Sequence, residues 1–339
     1  MNSQDQTKSM SASILRTLRN GKHAADDLFA KSMGYFQEAE LSIFHQFAPP
    51  PSGGGHQFLR AFWQESASRG LKVENNSISR TTRACLFNSF NFDEQRLRRL
   101  RRNSVLYVHR VDGPIGIYRG KDDGSDQRIW QINQEFADKT IFQSRYSLEK
   151  HLSLGMEFKN PVIALNAVDA SIFNANNRLG FSSGRKTRLI ASSWSDNPNK
   201  GSAVYTWLDK HLDWERFEFT FVGRSPVRFQ NIRMIDPIPS NRLADYLRQN
   251  DIYLTASQND PCSNSLIEAL SCGLPALYLK SGGHPEIVKN AGLGFDNVEV
   301  IPTLLDKIID QYAIYQTNID LPTLQSITSF YLQTLGFTG

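Results

Sequence analysis

The run from residue 251 to residue 295 constrains the fold more than any other part of the sequence. Residues 251–257 (DIYLTAS) have the polar start and the β-prone apolar centre typical of a short buried strand. A polar loop follows, and the apolar spacing of residues 263–272 predicts a helix that stops at Gly273. Residues 276–279 are the next predicted strand. A strand, a loop, a helix and a second strand form the repeating unit of a parallel sheet, so we expect an α/β protein.

The loop and the helix of this unit carry a candidate site for an anion and a sugar. Ligands of parallel sheets bind beyond the carboxyl ends of the strands, and the backbone N–H groups at a helix start suit a phosphate. Here those groups belong to Ser263, Asn264 and Ser265. Asp260 lies on the loop, and Glu268 lies one turn into the helix. Two carboxylates would repel a phosphate, so their presence indicates that sugar hydroxyls bind beside it.

Glu268 also has a purely structural interpretation. Ser265 and Glu268 have the spacing of a capping box, in which the glutamate accepts a hydrogen bond from a backbone N–H at the helix start. Short motifs of this kind often match by chance. On these few residues alone, the structural and the functional interpretations both stay open.

The longer pattern resembles the donor-binding segment of glycosyltransferase family 4, whose members are retaining enzymes of the GT-B fold. That family has two glutamates separated by seven residues. The second opens a Glu-Ala-x-x-x-Gly-x-Pro segment, and Gly-Gly-x-x-Glu-Ile-Val follows. This sequence has EALSCGLP from Glu268 and GGHPEIV from Gly282, with Asp260 at the position of the first glutamate. The replacement keeps a carboxylate and shortens its reach by one methylene group.

The resemblance implies a GT-B architecture, in which two Rossmann-like domains face one another across a cleft. We place an acceptor-side domain at residues 1–175, a linker at 176–186 and a nucleotide-sugar domain at 187–320. A final helix at 321–339 is expected to cross back to the first domain. At 339 residues the chain is long enough for two hydrophobic cores.

A glycine-rich stretch of the first domain is a candidate for the donor side of the cleft. Gly53, Gly54 and Gly55 separate a predicted strand at 41–47 from a predicted helix at 56–69. Glycine lets a backbone come close to a ligand, often a phosphate, and a tight turn is the alternative interpretation. The resemblance implies that Gly54 and Gly55 face the donor phosphate.

A second candidate in the first domain is the end of a strand predicted at residues 104–109. His109 ends this strand, and Asp112 follows it. Polar groups at the end of a buried strand face the ligand cleft in this architecture, although a lone histidine often has only a structural role. The resemblance implies that His109 contacts the transferred sugar or the acceptor hydroxyl, and that Asp112 is an acceptor ligand or a base.

Lys200 is the candidate cation for a diphosphate. It precedes a helix that begins near a glycine, and its ammonium group is a movable point charge. The family carries a second basic residue shortly upstream, where this sequence has Trp194 and Ser195. Arg224, which follows a strand predicted at 217–223, is the candidate for the missing charge.

The resemblance to family 4 implies that these residues serve a retaining transfer of a sugar from a nucleotide-diphosphate sugar to a hydroxyl of a glycan, a lipid-linked molecule or another acceptor. Glu268 would bond the ribose hydroxyls, Asp260 would position the sugar, and Lys200 with the N–H groups of residues 263–265 would stabilise the diphosphate. No Asp-x-Asp motif has the setting of a metal site, so we expect no metal and no cofactor apart from the donor co-substrate. Two alternatives remain: a GT-B sugar-nucleotide epimerase or phosphorylase, and a catalytically silent binding subunit, which the departures from the family pattern at Trp194 and Asp260 keep open.

The composition restricts the cellular compartment and the classes of binding partner that we expect. A net charge of +4, with 40% hydrophobic and 21% charged residues, is typical of an ordinary globular protein, and we expect no nucleic-acid partner. Three cysteines leave an odd thiol and have no metal spacing, which favours a reducing interior. No apolar run has the length of a membrane span, so we expect a cytoplasmic protein. Residues 1–13 are polar, and residues 14–33 predict one or two short helices.

A cluster of five arginines lies within residues 96–102 (RLRRLRR). Such a cluster forms either a solvated helix face or a basic patch for anionic lipid or an anionic acceptor. The second interpretation would place the protein peripherally at the inner face of a membrane.

Overall fold

The computed structural model of this protein describes residues 38–49 and 54–337. In this part of the chain, two six-stranded sheets with only parallel neighbours confirm the predicted α/β class. The helices predicted within residues 14–33 and the residue Gly53 lie outside the described residues.

Each sheet is built from consecutive strands of the chain. The strands are β1 Leu41–Phe44, β2 Val73–Asn75, β3 Ala84–Asn88, β4 Leu106–Val111, β5 Lys139–Phe142, β6 Pro161–Ile163, β7 Thr187–Ser193, β8 Phe217–Gly223, β9 Arg233–Ile235, β10 Ile252–Thr255, β11 Ala276–Leu279 and β12 Gly292–Phe295. The first sheet has the order β2-β1-β3-β4-β5-β6, and the second has the order β12-β11-β10-β7-β8-β9.

Helices connect most of these strands. Numbered within the described residues, they are α1 Gly54–Ser68, α2 Glu94–Leu100, α3 Ile115–Arg119, α4 Ser125–Phe136, α5 Arg145–Ser153, α6 Ser202–His211, α7 Ser240–Arg248, α8 Asn264–Ser271, α9 His284–Val288, α10 Ile301–Asp310, α11 Tyr312–Thr317 and α12 Leu324–Thr334. Two short 3-10 turns, at residues 198–200 and 298–300, precede α6 and α10.

The strand order fixes where a ligand can bind. In the first sheet the order reverses between β1 and β3, and in the second it reverses between β7 and β10. The loops that leave two such strands diverge to opposite faces of the sheet, which opens a crevice at the carboxyl ends of the strands. The loops after β7 and β10 are therefore the expected floor of a site in the second domain.

The alternation of side chains along the strands gives each sheet a core on both faces. On β10, Tyr253 joins the apolar cluster under α7 and α8, whereas Ile252 and Leu254 join the cluster under α6 and α10. The strand β3 is buried at every position, as expected for a central parallel strand with helices on both sides.

The last helix, α12, packs on the first domain after the chain has passed through the second. The ring of Tyr331 is fully buried, and its centroid lies 5.4 Å from that of Phe58 and 5.3 Å from that of Phe62, both on α1. Residues 164–186 connect the two sheets without a strand or a helix. The predicted domain bounds themselves stay predictions.

Candidate active site

A cleft with a volume of about 350 Å³ lies between the two sheets. Its second-domain wall is formed by residues that follow β7 and β10, among them Trp194, Ser257 and Asp260. Its first-domain wall includes Asp112 after β4 and Gln143 after β5. The cleft therefore lies where the strand order of the second sheet reverses, between β7 and β10. The carboxyl ends of the strands of the first sheet lie opposite.

Two helices from opposite domains begin at this cleft. The helix α8 follows its N-cap residue Ser263, and α1 starts at Gly54. A Cβ atom on Gly54 would lie 2.1 Å from Nδ2 of Asn264, so only glycine fits there, whereas Gly55 has open space. The first N–H groups of a helix lack intrahelical partners, so both starts offer donors to an anion. The prediction of Gly54 and Gly55 as loop residues is wrong, because both belong to the first turn of α1.

Asp260 and Lys200 form an ion pair within the cleft. The Nζ atom of Lys200 lies 2.8 Å from Oδ2 of Asp260, and it sits 4.9 Å from the ring centroid of Tyr118 on the first domain. Burial alone would lower the pKa of Lys200, but the carboxylate of Asp260 raises it above the usual lysine value. Burial would raise the pKa of Asp260, and Lys200 holds it below the usual range instead. Both side chains are therefore charged at neutral pH.

The Gly282-Gly283 pair fixes the loop that carries Asp260. The N–H of Gly283 donates to the carbonyl oxygen of Asp260 at 2.9 Å. A Cβ atom on Gly282 would lie 2.1 Å from that oxygen, and one on Gly283 would lie 2.4 Å from the carbonyl oxygen of Pro261. The two glycines are needed because one backbone segment packs directly on the other.

Glu268 is buried at the cleft and has no counter-ion among residues 38–49 and 54–337. Its side chain is only 2% exposed, and Oε2 bonds no described residue. The helix begins at Asn264 with Ser263 as its N-cap, and Ser263 makes no side-chain capping bond. The capping-box interpretation of Ser265 and Glu268 is therefore wrong, since Ser265 already lies inside the helix. Burial raises the pKa of Glu268 to about 8.

Asp112 is held by a polar network on the first-domain wall. Its Oδ1 accepts from Nη1 of Arg110 at 3.1 Å and from Nε2 of Gln143, and its Oδ2 accepts from the hydroxyl of Ser89 at 3.1 Å. The guanidinium of Arg110, fully buried, also donates to Oδ1 of Asn166 at 2.8 Å. The carboxylate is thus fixed at the edge of the cleft, with 34% of its side chain exposed.

The network around Asp112 contains residues that the sequence did not single out. Asn166 links the two walls, because its Nδ2 donates to Gln143 at 2.7 Å and to Oδ1 of Asn264 at 3.1 Å. Most of the bonds of Ser89, Arg110 and Gln143 join residues far apart in the sequence, such as Arg110 with Asn166, so no local pattern indicated the network.

His109 does not line the cleft, so the structure does not bring it to the predicted site, and its contact with a sugar or an acceptor stays a prediction. The strand β4 continues to Val111, which places His109 inside the sheet rather than at its end. The residue is fully buried, its Nε2 bonds the carbonyl oxygen of Ser89 at 2.9 Å, and its ring stacks on Phe87. Burial lowers the pKa of His109 to about 3, so the ring is neutral.

Arg224 lies outside the lining of the cleft. Its exposed guanidinium donates to the carbonyl oxygen of Trp194 at 3.3 Å, and its backbone N–H donates to Ser193. The structure therefore does not bring Arg224 to the diphosphate position that the sequence suggested. Trp194 itself lines the cleft.

Few charged side chains line the described part of the cleft. Among the described residues that line it, Lys200 is the one cation, and Asp112, Asp260 and Glu268 are the carboxyl groups. Within residues 38–49 and 54–337, no group of three His, Cys, Asp or Glu side chains is arranged to hold a metal ion.

Arg98, Arg101 and Arg102 of the arginine cluster at residues 96–102 bond residues of the first domain. Arg98 forms ion pairs with Glu94 at 2.8 Å and with Glu135 at 2.6 Å. Arg101 donates to the carbonyl oxygen of Glu135, and Arg102 donates to backbone carbonyls, including that of Thr82. These contacts support the solvated-face interpretation, and membrane contact stays a prediction. In the described part of the chain, no helix has the length and the apolar character needed to cross a membrane.

Comparison with known proteins links the second domain to sugar transfer. A family model described as "Glycosyl transferases group 1" matches residues 230–311, which contain Asp260, Glu268 and the Gly282-Gly283 loop. The GPI3 subunit of phosphatidylinositol N-acetylglucosaminyltransferase from Saccharomyces cerevisiae is 32% identical over 107 residues. That similarity covers 27% of this chain and 24% of the yeast protein, so the chain matches about a quarter of the length of this relative.

Solved structures resemble the whole two-domain frame. Sucrose-phosphate synthase from Thermosynechococcus elongatus superposes with a TM-score of 0.66 at 14% identity, over 88% of this chain and 95% of that one. The catalytic domain of starch synthase IV from Arabidopsis thaliana, bound to ADP and acarbose, gives 0.64 at 11% identity, over 88% and 98%. HepE from Anabaena, in complex with UDP-glucose, gives 0.60 at 13% identity, over 88% and 98%.

These likenesses confirm the predicted fold, since the chain has the GT-B fold. The group 1 match at residues 230–311 supports the predicted enzyme class, a glycosyltransferase. Membership of family 4 and retention of configuration stay predictions.

Proposed function

We propose that this protein moves a sugar from a nucleotide-diphosphate sugar to an acceptor hydroxyl, with retention of configuration and without a metal ion. The observation that carries the proposal is the carboxyl group of Glu268. It is buried at the cleft with an oxygen that bonds no described residue, one turn from the start of α8. A buried polar atom without a partner is costly, so such an atom at a cleft indicates a ligand that completes it.

In the proposed complex, the diphosphate lies between the starts of α1 and α8. The free N–H groups of the two helices and the ammonium of Lys200 would bond it. Glu268 would bond the two ribose hydroxyls, and Asp260 would bond hydroxyls of the transferred sugar. Asp260 is suited to this because its pairing with Lys200 at 2.8 Å fixes the carboxylate at the floor of the cleft.

The reaction would take place on one face of the sugar. The bond between C1 and the diphosphate oxygen breaks, and the charge that grows on the diphosphate is stabilised by donors already in place. The acceptor oxygen forms its bond to C1 on the same face, and its proton passes to the departing phosphate oxygen. This route, which the resemblance to family 4 implies, needs no nucleophile from the protein. Asp112, fixed by Arg110 and Ser89, is placed to orient the acceptor hydroxyl.

Relatives support the proposed classes of substrate. HepE was solved with UDP-glucose, and starch synthase IV with ADP and acarbose, which supports a nucleotide sugar as donor and a glycan as acceptor. The yeast relative is named as a subunit of a phosphatidylinositol N-acetylglucosaminyltransferase, which supports a lipid-linked acceptor and an assembly with other subunits.

The test is a screen of the purified protein against UDP-glucose, UDP-N-acetylglucosamine, ADP-glucose and GDP-mannose in buffer that contains EDTA. Thermal shift reports binding, and release of the nucleoside diphosphate reports turnover. Wild type is compared with Glu268→Ala and with Glu299→Ala, a control at an exposed position of the same domain. We expect one donor to stabilise and be turned over by wild type and Glu299→Ala, with both effects lost in Glu268→Ala.

The same screen distinguishes a second candidate function, a catalytically silent binding subunit. Its support is the state of Lys200, the one cation of the described lining, which is already paired with Asp260, while Trp194 lines the wall nearby. Tight donor binding without release of nucleotide, with and without added acceptors, would favour this candidate over transfer. Conversion of the donor to an isomer without acceptor would indicate an epimerase. No shift with any donor would contradict all three.

A further inference from the structure

We propose that Glu268 binds the donor ribose as a neutral carboxylic acid, so that the donor is bound by the protonated form of the protein. This inference deepens the proposed function and rests on it. Its basis is the contrast between two carboxyl groups eight residues apart at the same cleft, Asp260 and Glu268.

The two groups differ in their counter-ions. Asp260 pairs with Lys200 at 2.8 Å and accepts from the backbone N–H of Cys262 at 3.3 Å. Glu268 is only 2% exposed, no cation of the described chain pairs with it, and its Oε2 accepts no hydrogen bond. A buried charge without a partner is costly, and a carboxyl group in such a place keeps its proton instead. Burial accordingly raises the pKa of Glu268 to about 8.

None of the described groups around Glu268 forms an ion pair with it, and burial is the cause of its raised pKa. From β10 it faces Tyr253, and from the end of its own helix it faces Cys272, both with a pKa raised by burial. Across a second cavity of about 230 Å³ lie Arg60 of α1, which donates to the carbonyl oxygen of Ala48, and Asp169, in the segment 164–186 that connects the two sheets.

On the side of the first cleft, the charged groups are already engaged with other partners. Asp260 pairs with Lys200, and Asp112 bonds Arg110, Gln143 and Ser89. Because the one cation of the described lining is used by Asp260, it does not compensate a charge on Glu268.

A neutral carboxyl group fits a ribose diol and an adjacent diphosphate. Its O–H can donate to one ribose oxygen while its carbonyl oxygen accepts from the other hydroxyl. An ionised Glu268 could only accept, and it would add a third negative group to a cleft that must hold a diphosphate. This explains how Asp260 and Glu268 can both lie beside a diphosphate. Lys200 compensates the charge of Asp260, and a proton neutralises Glu268.

The inference fixes the sign of a pH dependence. If the complex needs the proton, donor affinity is constant while free Glu268 is protonated. It then falls as the pH rises through the pKa of about 8, approaching about tenfold per pH unit above it. If the ionised form bound the ribose, affinity would instead rise through the same range. A pyrophosphate diester does not titrate in this range, whereas the ring N–H of a uracil or guanine base begins to ionise towards its upper end. Loss of the pH dependence in Glu268→Gln therefore assigns it to Glu268 and not to the base.

The experiment measures donor affinity by calorimetry between about pH 6 and about pH 9, a range that brackets the pKa of Glu268. The probes are the four nucleotide sugars named above. Wild type is compared with Glu268→Gln, Glu268→Ala and the exposed control Glu299→Gln. Glutamine has nearly the shape of glutamic acid and can both donate and accept, but it cannot titrate.

We expect Glu268→Gln to bind the donor within about threefold of wild type at neutral pH and to lose the pH dependence, whereas Glu268→Ala binds at least about tenfold more weakly. A second readout needs no donor. Infrared difference spectra of wild type minus Glu268→Gln at neutral pH should show the C=O stretch of a protonated carboxyl group.

Two results would overturn the inference while leaving the proposed function intact: affinity that rises with pH in wild type, or Glu268→Gln as weak as Glu268→Ala. A carboxylate band in the infrared difference spectrum at neutral pH would overturn it as well. If wild type binds none of the probes at any pH, the proposed function fails, and this inference fails with it.

Discussion

The carboxyl groups Asp112 and Glu268, on opposite walls of the cleft, differ in how far their oxygens are already hydrogen-bonded. On the first-domain wall, both oxygens of Asp112 accept hydrogen bonds, from Arg110 and Gln143 on one side and from Ser89 on the other. On the second-domain wall, Oε2 of Glu268 has no partner among the described residues. A carboxylate whose oxygens already accept hydrogen bonds is held in place by the protein alone. A buried oxygen without a partner can instead bond a ligand. We therefore expect variants of the second wall to change donor binding most.

The largest effect is expected for Lys200→Met. The change removes the one cation of the described lining and leaves Asp260 buried without its partner. Loss of one partner of a buried charge pair across a binding interface, here Lys200 and the donor diphosphate, costs about 2–5 kcal/mol, so donor affinity should fall by roughly 30-fold to several thousandfold. Calorimetry measures it, and Lys210→Met, on the exposed end of α6, is the matched control.

The double variant Lys200→Met/Asp260→Asn separates the two roles of the lysine. It removes the unpaired carboxylate, so we expect thermal stability to recover towards that of wild type while donor binding stays weak. Wild-type affinity in Lys200→Met would contradict the assignment of Lys200 to the diphosphate.

The next effect tests the contact that joins the walls. Gly54→Ala would place a Cβ atom 2.1 Å from Nδ2 of Asn264 and force the starts of α1 and α8 apart, whereas Gly55→Ala meets open space. A misplacement of about 1 Å near reacting groups can cost about 100-fold in rate. We expect turnover to fall about tenfold to 100-fold in Gly54→Ala and to stay within about twofold in Gly55→Ala. Equal rates in the two variants would mean that the helix starts need not meet.

A smaller effect is expected from a bond between the domains that lies away from the reacting groups. The carboxylate of Glu286 accepts from the backbone N–H groups of Arg145 at 2.8 Å and Tyr146 at 2.7 Å, so a residue of the second domain caps α5 of the first. Loss of a helix cap costs about 1 kcal/mol, roughly a fivefold change in an equilibrium.

Glu286→Ala should therefore lower donor affinity about fivefold if the capped arrangement is the one that binds the donor. Glu299→Ala again serves as the exposed control. Small-angle scattering with and without donor would show whether the domains separate, and unchanged affinity in Glu286→Ala would restrict the bond to a role in stability.

The same contrast between the walls explains what the sequence could predict. The second wall is contiguous: Asp260, the start of α8 and Glu268 lie within one strand-loop-helix unit, so spacing alone indicated their arrangement. The bonds of the first wall join residues far apart, such as Ser89 with Asp112 and Arg110 with Asn166. No local pattern encodes such pairs, because the sheet order brings them together.

The ends of the strands were the second feature that the sequence did not predict accurately. A strand predicted to end at residue 109 continues to Val111, and because successive side chains point to opposite faces, small errors in an end change which residue meets the cleft. Asp112 lies at the cleft and His109 does not. Likewise α1 begins at Gly54 rather than at residue 56, so two expected loop glycines belong to a helix.

The smallest effect on activity is expected for His109→Phe, which tests the position of this ring in the core. His109 bonds Ser89 at 2.9 Å and Asn133 at 3.2 Å inside the first domain. Phenylalanine keeps the stacking on Phe87 but leaves both partners unsatisfied, which costs about 1–3 kcal/mol of stability. Donor affinity and turnover should stay within about twofold of wild type at a temperature where both proteins are folded.

The pH dependence of stability gives the same ring a second test. The folded pKa of His109 is lowered from 6.5 to about 3, so between these values the unfolded chain binds the extra proton. The neutral ring therefore contributes stability that is fully present above about pH 6.5 and is lost as the pH falls towards 3. In denaturant titrations, the free energy of unfolding should fall more steeply with decreasing pH across this range for wild type than for His109→Phe. Equal pH dependences of stability would contradict the burial of a neutral His109 ring. A loss of turnover in the folded variant at neutral pH would support a role of His109 at the cleft.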